Sequence, residues 1–269
     1  MINDYDLTPL RARRADKNLI PFVGAGMSVP LGLPSWSALI DFIADELDYD
    51  PEVFRLSGDN RQLAEFFVEE RGGIGPLRSE LDRLFDPSDE SVRKSEAHEA
   101  LVRLDLPLIY TTNYDRIIER AFELHGSQCH TVGNIDDLKN APQGVTQVVK
   151  FHGTFTDDAT LVLTESSYFD RLEFESALDI KLRADMLGKC LLFIGYSLSD
   201  INIRYMLYKL SKLRQRVRRG ADRLPNAYMV TFGANRVQRT LLARWDVAVI
   251  ELDPLDKPGS TAEFLRSLL

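Results

Sequence analysis

The chain has 269 residues, an ordinary share of apolar and charged side chains, and a formal net charge of −8 at pH 7. That length allows one large α/β domain or a domain with a modest insertion. Composition excludes several classes: no apolar run is long enough to span a bilayer, two cysteines (Cys129 and Cys190) cannot build a four-cysteine zinc site, and an acidic chain as a whole repels nucleic acid. The first twenty residues place charges ahead of any apolar run, unlike a secretory signal, so the expected location is the cytoplasm. There Cys190 reads as a small buried hydrophobe and a disulfide is not expected.

In chain order, a basic stretch at residues 11–17 precedes the first predicted strand, Leu19–Val23. That strand runs into Phe22-Val23-Gly24-Ala25-Gly26-Met27-Ser28 and then Gly32-Leu33-Pro34-Ser35-Trp36. A strand ending in Gly-Ala-Gly lets backbone approach a phosphate and offers helix N–H groups to it. The dinucleotide fingerprint G-x-G-x-x-G fails, because Val29 stands where its third glycine belongs. From about 37 to 104 there is no convincing strand. Apolar residues at Leu39, Ile40, Phe42, Ile43 and Leu47 follow a helical period, and turn signals recur at 57–58, 72–75 and 86–88. The spacing predicts a helical module, residues 37–104, inserted into a main domain made of residues 1–36 and 105–269.

The second predicted strand, 106–111, ends in Thr111-Thr112-Asn113-Tyr114-Asp115, followed by a helix over 114–124. Asn113 or Asp115 serves equally as a helix cap on this evidence. Short extended pieces are predicted at Cys129–Val132 and 160–163. The cluster His125, Cys129 and His130 matches no standard metal spacing and reads as a surface loop. A further strand, 148–152, ends in Lys150-Phe151-His152-Gly153-Thr154. Of four histidines, His152 alone stands at a strand's carboxyl end, where open α/β sheets bind ligands.

The apolar strand 190–195 leads into Phe193-Ile194-Gly195-Tyr196-Ser197-Leu198-Ser199-Asp200, another possible phosphate cradle or helix cap. Ile203, Met206, Leu207, Leu210 and Leu213 mark a helix that runs into the basic segment 212–223. That segment reads as a solvated helix end, with a partner contact as the alternative. Strands at Ala227–Thr231 and 247–252 complete the pattern. Short apolar strands alternating with helices predict a Rossmann-like α/β fold, with a mostly parallel sheet and helices on both faces.

Taken together and in order, GAGxS…GxP, TxNxD, HG and GxSL resemble the motifs of the sirtuin family, over roughly residues 18–36 and 105–252. Within it, the segments around Lys150–Thr154, Leu161–Tyr168 and Gly195–Asp200 look most like bacterial sirtuin-like NADases of antiphage defence. The chain departs from protein-deacylating sirtuins in having no zinc ribbon, and Ser35 and Ser37 replace the Asp and Arg of their Gly-Ile-Pro-Asp-Phe-Arg loop.

The resemblance implies NAD as substrate, with no metal. Gly24, Ala25, Gly26 and Ser28 would hold the pyrophosphate, with Pro34, Thr112 and Gly153 in the same binding set. Gly195 and Ser197 would lie near the adenosine half. Asp200 would cap its helix or reach a ribose hydroxyl, Thr231 and Asn235 would meet the adenine ribose, and Trp36 would close over nicotinamide. Asn113 would hold ribose hydroxyls or the attacking water. Asp115 would bind the carboxamide or orient Asn113. His152 would accept a proton, since an imidazole with a reference pKa near ~6.5 is largely a base at neutral pH.

The expected activity is NAD glycohydrolysis. Two alternatives stay open: a non-catalytic NAD or ADP-ribose sensor, and an NAD-dependent protein deacylase. Because a free NADase is toxic and these residues leave no room for a sensor domain, control is expected from a separately encoded activator (an Argonaute, a HerA-type helicase or a nucleotide-processing protein) or from assembly into a homo- or hetero-oligomer.

Overall fold

The computed structural model describes residues 5–34, 36–173, 175–196, 201–215, 225 and 227–269. Seven strands form one sheet: β1 (Leu19–Val23), β2 (Leu108–Thr111), β3 (Cys129–Val132), β4 (Thr146–Lys150), β5 (Cys190–Ile194), β6 (Ala227–Thr231) and β7 (Val247–Glu251). Their spatial order is β3-β4-β2-β1-β5-β6-β7, and every pairing is parallel. This is a Rossmann-like arrangement.

β1 is central and wholly buried, yet it contains Pro21, a residue normally kept to sheet edges. The register explains it. Gly24 N donates to Ile194 O and Cys190 N to Asn18 O, so even-numbered positions face β5 and Pro21 faces β2. Pairing with β2 begins only at Phe22, so the missing N–H of Pro21 falls at the end of the β1–β2 ladder rather than within it.

Fourteen helices occur among the described residues: α1 (Thr8–Ala15), α2 (Trp36–Glu46), α3 (Pro51–Arg55), α4 (Asn60–Arg71), α5 (Gly75–Leu84), α6 (Asp89–Lys94), α7 (Glu96–Arg103), α8 (Ile117–Leu124), α9 (Ile135–Lys139), α10 (Glu165–Glu173), α11 (Ala177–Gly188), α12 (Ile201–Gln215), α13 (Arg236–Arg244) and α14 (Lys257–Arg266). Two apolar cores lie on opposite faces of the sheet, one including Val23, Ile109, Leu192 and Phe264, the other Phe22, Tyr110, Phe193 and Met229. A third core joins Leu39, Ile43, Phe54, Phe67 and Leu81 to Phe155 and Leu163. It holds α2 to α5 together, whereas Val92, Ala100 and Leu101 of α6 and α7 pack into the first core.

The short piece at 160–163, predicted to be extended, joins no sheet, although Leu161 has an extended backbone. Residues Asp158–Thr160 form a single helical turn, Val162 N donates to His152 O, and Leu163 fills the third core. The helix predicted from Tyr114 starts three residues later, because Asp115 turns its carboxylate onto Ile117 N at 3.0 Å. The basic stretch at 11–17 clasps the chain's end: Arg11 donates to Ser267 O, and Arg14 to Leu104 O and Leu269 O. The other basic segment, 212–223, lies largely outside the described residues.

Candidate active site

After β1 the chain builds β2, β3 and β4 on one side, then crosses back to β5, β6 and β7 on the other. The carboxyl ends of β1 and β5 are therefore a topological switch point, where connections leave in opposite directions and open a crevice. A cavity of about 1460 Å³ lies there.

Three glycines pack together beside it, of which Gly26 and Gly195 line it. Gly195 has φ +76°, and a Cβ on it would come within 2.7 Å of Met27 N. Cβ atoms on Gly24 and Gly26 would meet Gly195 O at 2.7 and 2.8 Å. Gly24 N donates to Ile194 O and Gly26 N to Gly195 O. These two amides are engaged within the protein, so the glycines bring two turns into contact, while Ala25 and Gly26 face the cavity. Tyr196 closes the knot: its hydroxyl donates to Val23 O at 3.0 Å and is 2.9 Å from Thr112 Oγ1.

On the β2 and β4 side, polar groups are buried and tied. Thr111 Oγ1 donates to Val23 O and accepts from Asn113 N. Asn113 Nδ2 donates to Ser28 Oγ at 3.1 Å. Ser28 also hydrogen-bonds the Asp115 carboxyl, whose pKa burial raises while the charge of Lys150 opposes the rise. Ser28, placed by sequence on the pyrophosphate, is itself buried and bridges Asn113 and Asp115.

His152 follows β4 and lines the same cavity as Asn113 and Asp115. Its ring stacks near Phe151 and meets the edge of Tyr168 at 5.4 Å. Nε2 is buried and has no hydrogen-bond partner. Burial, with the nearby charge of Arg171, pulls the imidazole down to about 3. The ring is thus firmly neutral, further from its ordinary value than sequence reasoning allowed, and its orphaned nitrogen calls for a partner that a ligand hydroxyl can provide.

Pro34 and Trp36 also line the cavity. Gly153 has φ +86°, and a Cβ there would lie 2.2 Å from Thr160 O, so the turn after His152 requires it. Thr231 and Asn235 lie off the cavity wall, which Val230 and Phe232 form instead. Asn235 Oδ1 accepts from Gln238 N and caps α13. Ser197 and Asp200 lie outside the described residues.

Sequence reasoning missed three pairs of residues. Asp59 and Arg61 at the start of α4 reach the cavity, with Arg61 ion-paired to Asp59 at 3.1 Å and lying over the Tyr168 ring. Lys257 and Thr261 at the start of α14 line the far end. Lys150 and Glu119 lie behind the Asn113 turn; a lysine ending an apolar strand was the available signal, because a buried cation needs partners.

Among the described residues, no group of three or more His, Cys, Asp or Glu side chains could hold a metal ion, and no helix is long and apolar enough to cross a membrane. His130 Nε2 donates to Asp137 O, and burial beside Glu119 and Glu123 pushes the Cys129 thiol up to about 12.

The family model for a SIR2-like domain matches residues 107–250, more than half of the chain. The chain belongs to the SIR2-like family. Among curated SIR2-like relatives, "NAD(+) hydrolase ThsA" of Bacillus cereus (strain MSX-D12) is 30% identical over 208 residues, covering 76% of this chain and 42% of that protein. "Defense-associated sirtuin 2" of Bacillus subtilis is 26% identical over 206 residues, covering 73% of this chain and 20% of that protein. A solved Sir2 homologue in complex with NAD is 15% identical, with a TM-score of 0.47, over 100% of this chain and 94% of that one. The chain spans about two fifths of the length of the NAD(+) hydrolases it matches.

Proposed function

We propose that this SIR2-like chain is an NAD glycohydrolase that cleaves NAD to nicotinamide and ADP-ribose. The observation that carries the reading is the convergence of Asn113, Asp115 and His152, whose buried Nε2 has no partner, on one cavity beside the glycine knot at the switch point. The names of the ThsA relatives support it.

The chemistry asks little of the protein. Nicotinamide in NAD is a cationic leaving group and departs neutral, taking the C–N electron pair with it. Water supplies the oxygen that bonds the ribose carbon and releases one proton. The transition state resembles an oxocarbenium ion, as in glycoside cleavage. Asn113, fixed from below by Ser28, would hold a ribose hydroxyl or the water. His152 Nε2 would accept a hydrogen bond from a ribose hydroxyl and pass the proton outward. Asp115 would hold Asn113 in place or bind the carboxamide. Holding these groups in register supplies most of the acceleration.

The finer assignments are part of this proposal. Ala25 and Gly26 would face the pyrophosphate, and Trp36 and Pro34 the nicotinamide. Lys257 would meet the adenosine side. A role in antiphage defence fits the relative named for defence; a cytoplasmic location, an oligomeric state and an activating partner are proposed from the sequence alone. The division into residues 37–104 and the rest is proposed with α2 to α5 as the inserted module's core. The test is to incubate the purified chain with NAD and separate the products. Nicotinamide and ADP-ribose in equal amounts, without added peptide, are expected. NAD binding without turnover would replace the enzyme by a sensor.

A further inference from the structure

Lys150 is the last residue of β4, and its side chain is wholly buried. The register sets it level with Thr111, the last residue of β2. Its Nζ therefore lies under the turn that carries Asn113 and Asp115. That ammonium has three N–H donors, and three acceptors surround it. They are Asp115 O, in a short contact, Asn113 O at 3.4 Å, and Glu119 Oε1 at 3.0 Å. Glu119 belongs to the first turn of α8, is itself buried, and also accepts from Thr131 of β3 at 3.3 Å. Its second oxygen is buried with no partner.

The pair is an improbable stabiliser. Removing two charges from water costs more than an imperfectly satisfied pair returns, and apolar replacements of similar volume are often as stable or more so. Glu119 Oε2 is such an imperfection. What an apolar pair cannot do is tie β4, the Asn113–Asp115 turn and α8 through a single atom. Nor can arginine, whose planar fork would have to meet acceptors disposed around one point.

We infer that Lys150, anchored by Glu119, is a positioning residue that holds the main chain of the Asn113–Asp115 turn in the geometry that NAD cleavage needs. This deepens the proposed hydrolase reading and rests on it. Lys150 touches no substrate in this reading and acts only through the two carbonyls.

The experiment must separate positioning from folding. Lys150→Met alone leaves a buried, unpaired carboxylate and can fail to fold. The informative variant is therefore Lys150→Met with Glu119→Leu, which removes both charges. Melting near the wild-type temperature is expected. On the same protein kcat should fall by about 10- to 100-fold, the scale of an ångström of misplacement, while KM for NAD moves less than about threefold. Lys150→Arg should not restore kcat. Amide hydrogen exchange at residues 113–117 should be faster in the double variant than in the wild type, whatever the activity. A double variant with wild-type kcat and wild-type protection of those amides overturns the inference. A wild-type chain that does not cleave NAD overturns the hydrolase reading instead, and the exchange comparison then decides alone whether Lys150 fixes the turn.

Discussion

On the β2 and β4 side of the cavity, the proposed cleavage chemistry rests on buried side chains: Asn113, Asp115 and His152 are each nearly inaccessible, tied through Ser28 or left with one orphaned atom. On the β5, β6 and β7 side the proposed nucleotide binding rests on backbone and surface, with Gly195 packed against Gly24 and Gly26 and an exposed Lys257 over Phe232. The two sides suit the two halves of a dinucleotide. Bond cleavage needs a few groups fixed within tenths of an ångström, and burial fixes them. Holding a nucleotide needs room and tolerates mobility.

The first way to break this contrast is to remove the buried pair one at a time. Asn113→Ala and His152→Ala should each lower kcat for NAD by about 10²- to 10⁴-fold. His152→Ala also removes a buried nitrogen without a partner, so its melting temperature should not fall as a core truncation would. Product analysis with parallel thermal melts checks both. Near-normal turnover in either variant would remove that residue from the mechanism.

The glycine knot should fail differently, through structure first. Gly195→Ala places a Cβ 2.7 Å from Met27 N at a left-handed φ of +76°. Strain of that kind costs on the order of 1–3 kcal/mol, and relief requires the two turns to separate. The expected result is a lower melting temperature together with a raised KM for NAD. Gly32→Ala, also at positive φ but with nothing within 4 Å, is the control that should cost less and leave KM unchanged.

Much of this was legible in the sequence because strand ends announce themselves. Apolar runs stopping at Gly, Asn or His placed β1, β2, β4 and β5 within two residues, and with them Asn113 and His152. What was not legible depended on register across the sheet. That Lys150 lies level with Thr111, or that Gly24 and Gly26 exhaust their amides on β5, follows from pairing between segments far apart in sequence. The extended piece at 160–163 stays outside the sheet for a similar reason. Leu161, Val162 and Leu163 are strand-like locally, but Leu161 and Leu163 pack on the third core and β4 already pairs on both sides. Asn235 is ambiguous in sequence because a capping asparagine and a ribose-binding asparagine at a strand end look alike before the helix is seen; the structure shows it capping α13.

Burial on the catalytic side also leaves a mark on acid stability. The pKa of His152 is pulled down to about 3, and that of His98, buried in α7 away from the cavity lining, to about 4, in both cases mainly by burial. Each has a folded pKa below its unfolded value of roughly 6.5. Below that value the unfolded chain takes up protons that the folded one refuses. Stability is therefore full above it and declines as pH falls toward about 4, by on the order of 1 kcal/mol per pH unit for each histidine. Thermal melts from pH 7 to 5 should show the decline, with a shallower slope for His152→Gln. Equal slopes in the two proteins would mean that His152 titrates normally in solution.

The smallest effects should come from the opposite side and separate two residues near the adenosine end. Asn235 is exposed and its Oδ1 is engaged by Gln238 N at the start of α13. Asn235→Ala should therefore cost about 1 kcal/mol of stability, the usual worth of an N-cap, and leave KM for NAD unchanged. Lys257 lies on the cavity wall with its charge exposed. An exposed charge pair is worth less than about 1 kcal/mol, so Lys257→Ala should raise KM no more than about fivefold. The effect should shrink with added salt, since screening already weakens the wild-type contact, and the melting temperature should hold. Steady-state kinetics at two ionic strengths distinguish the pair. If Asn235→Ala raised KM and Lys257→Ala did not, the nucleotide would have to lie nearer the end of β6 than the cavity reaches. The contrast between a buried catalytic side and an open binding side would then need a different boundary.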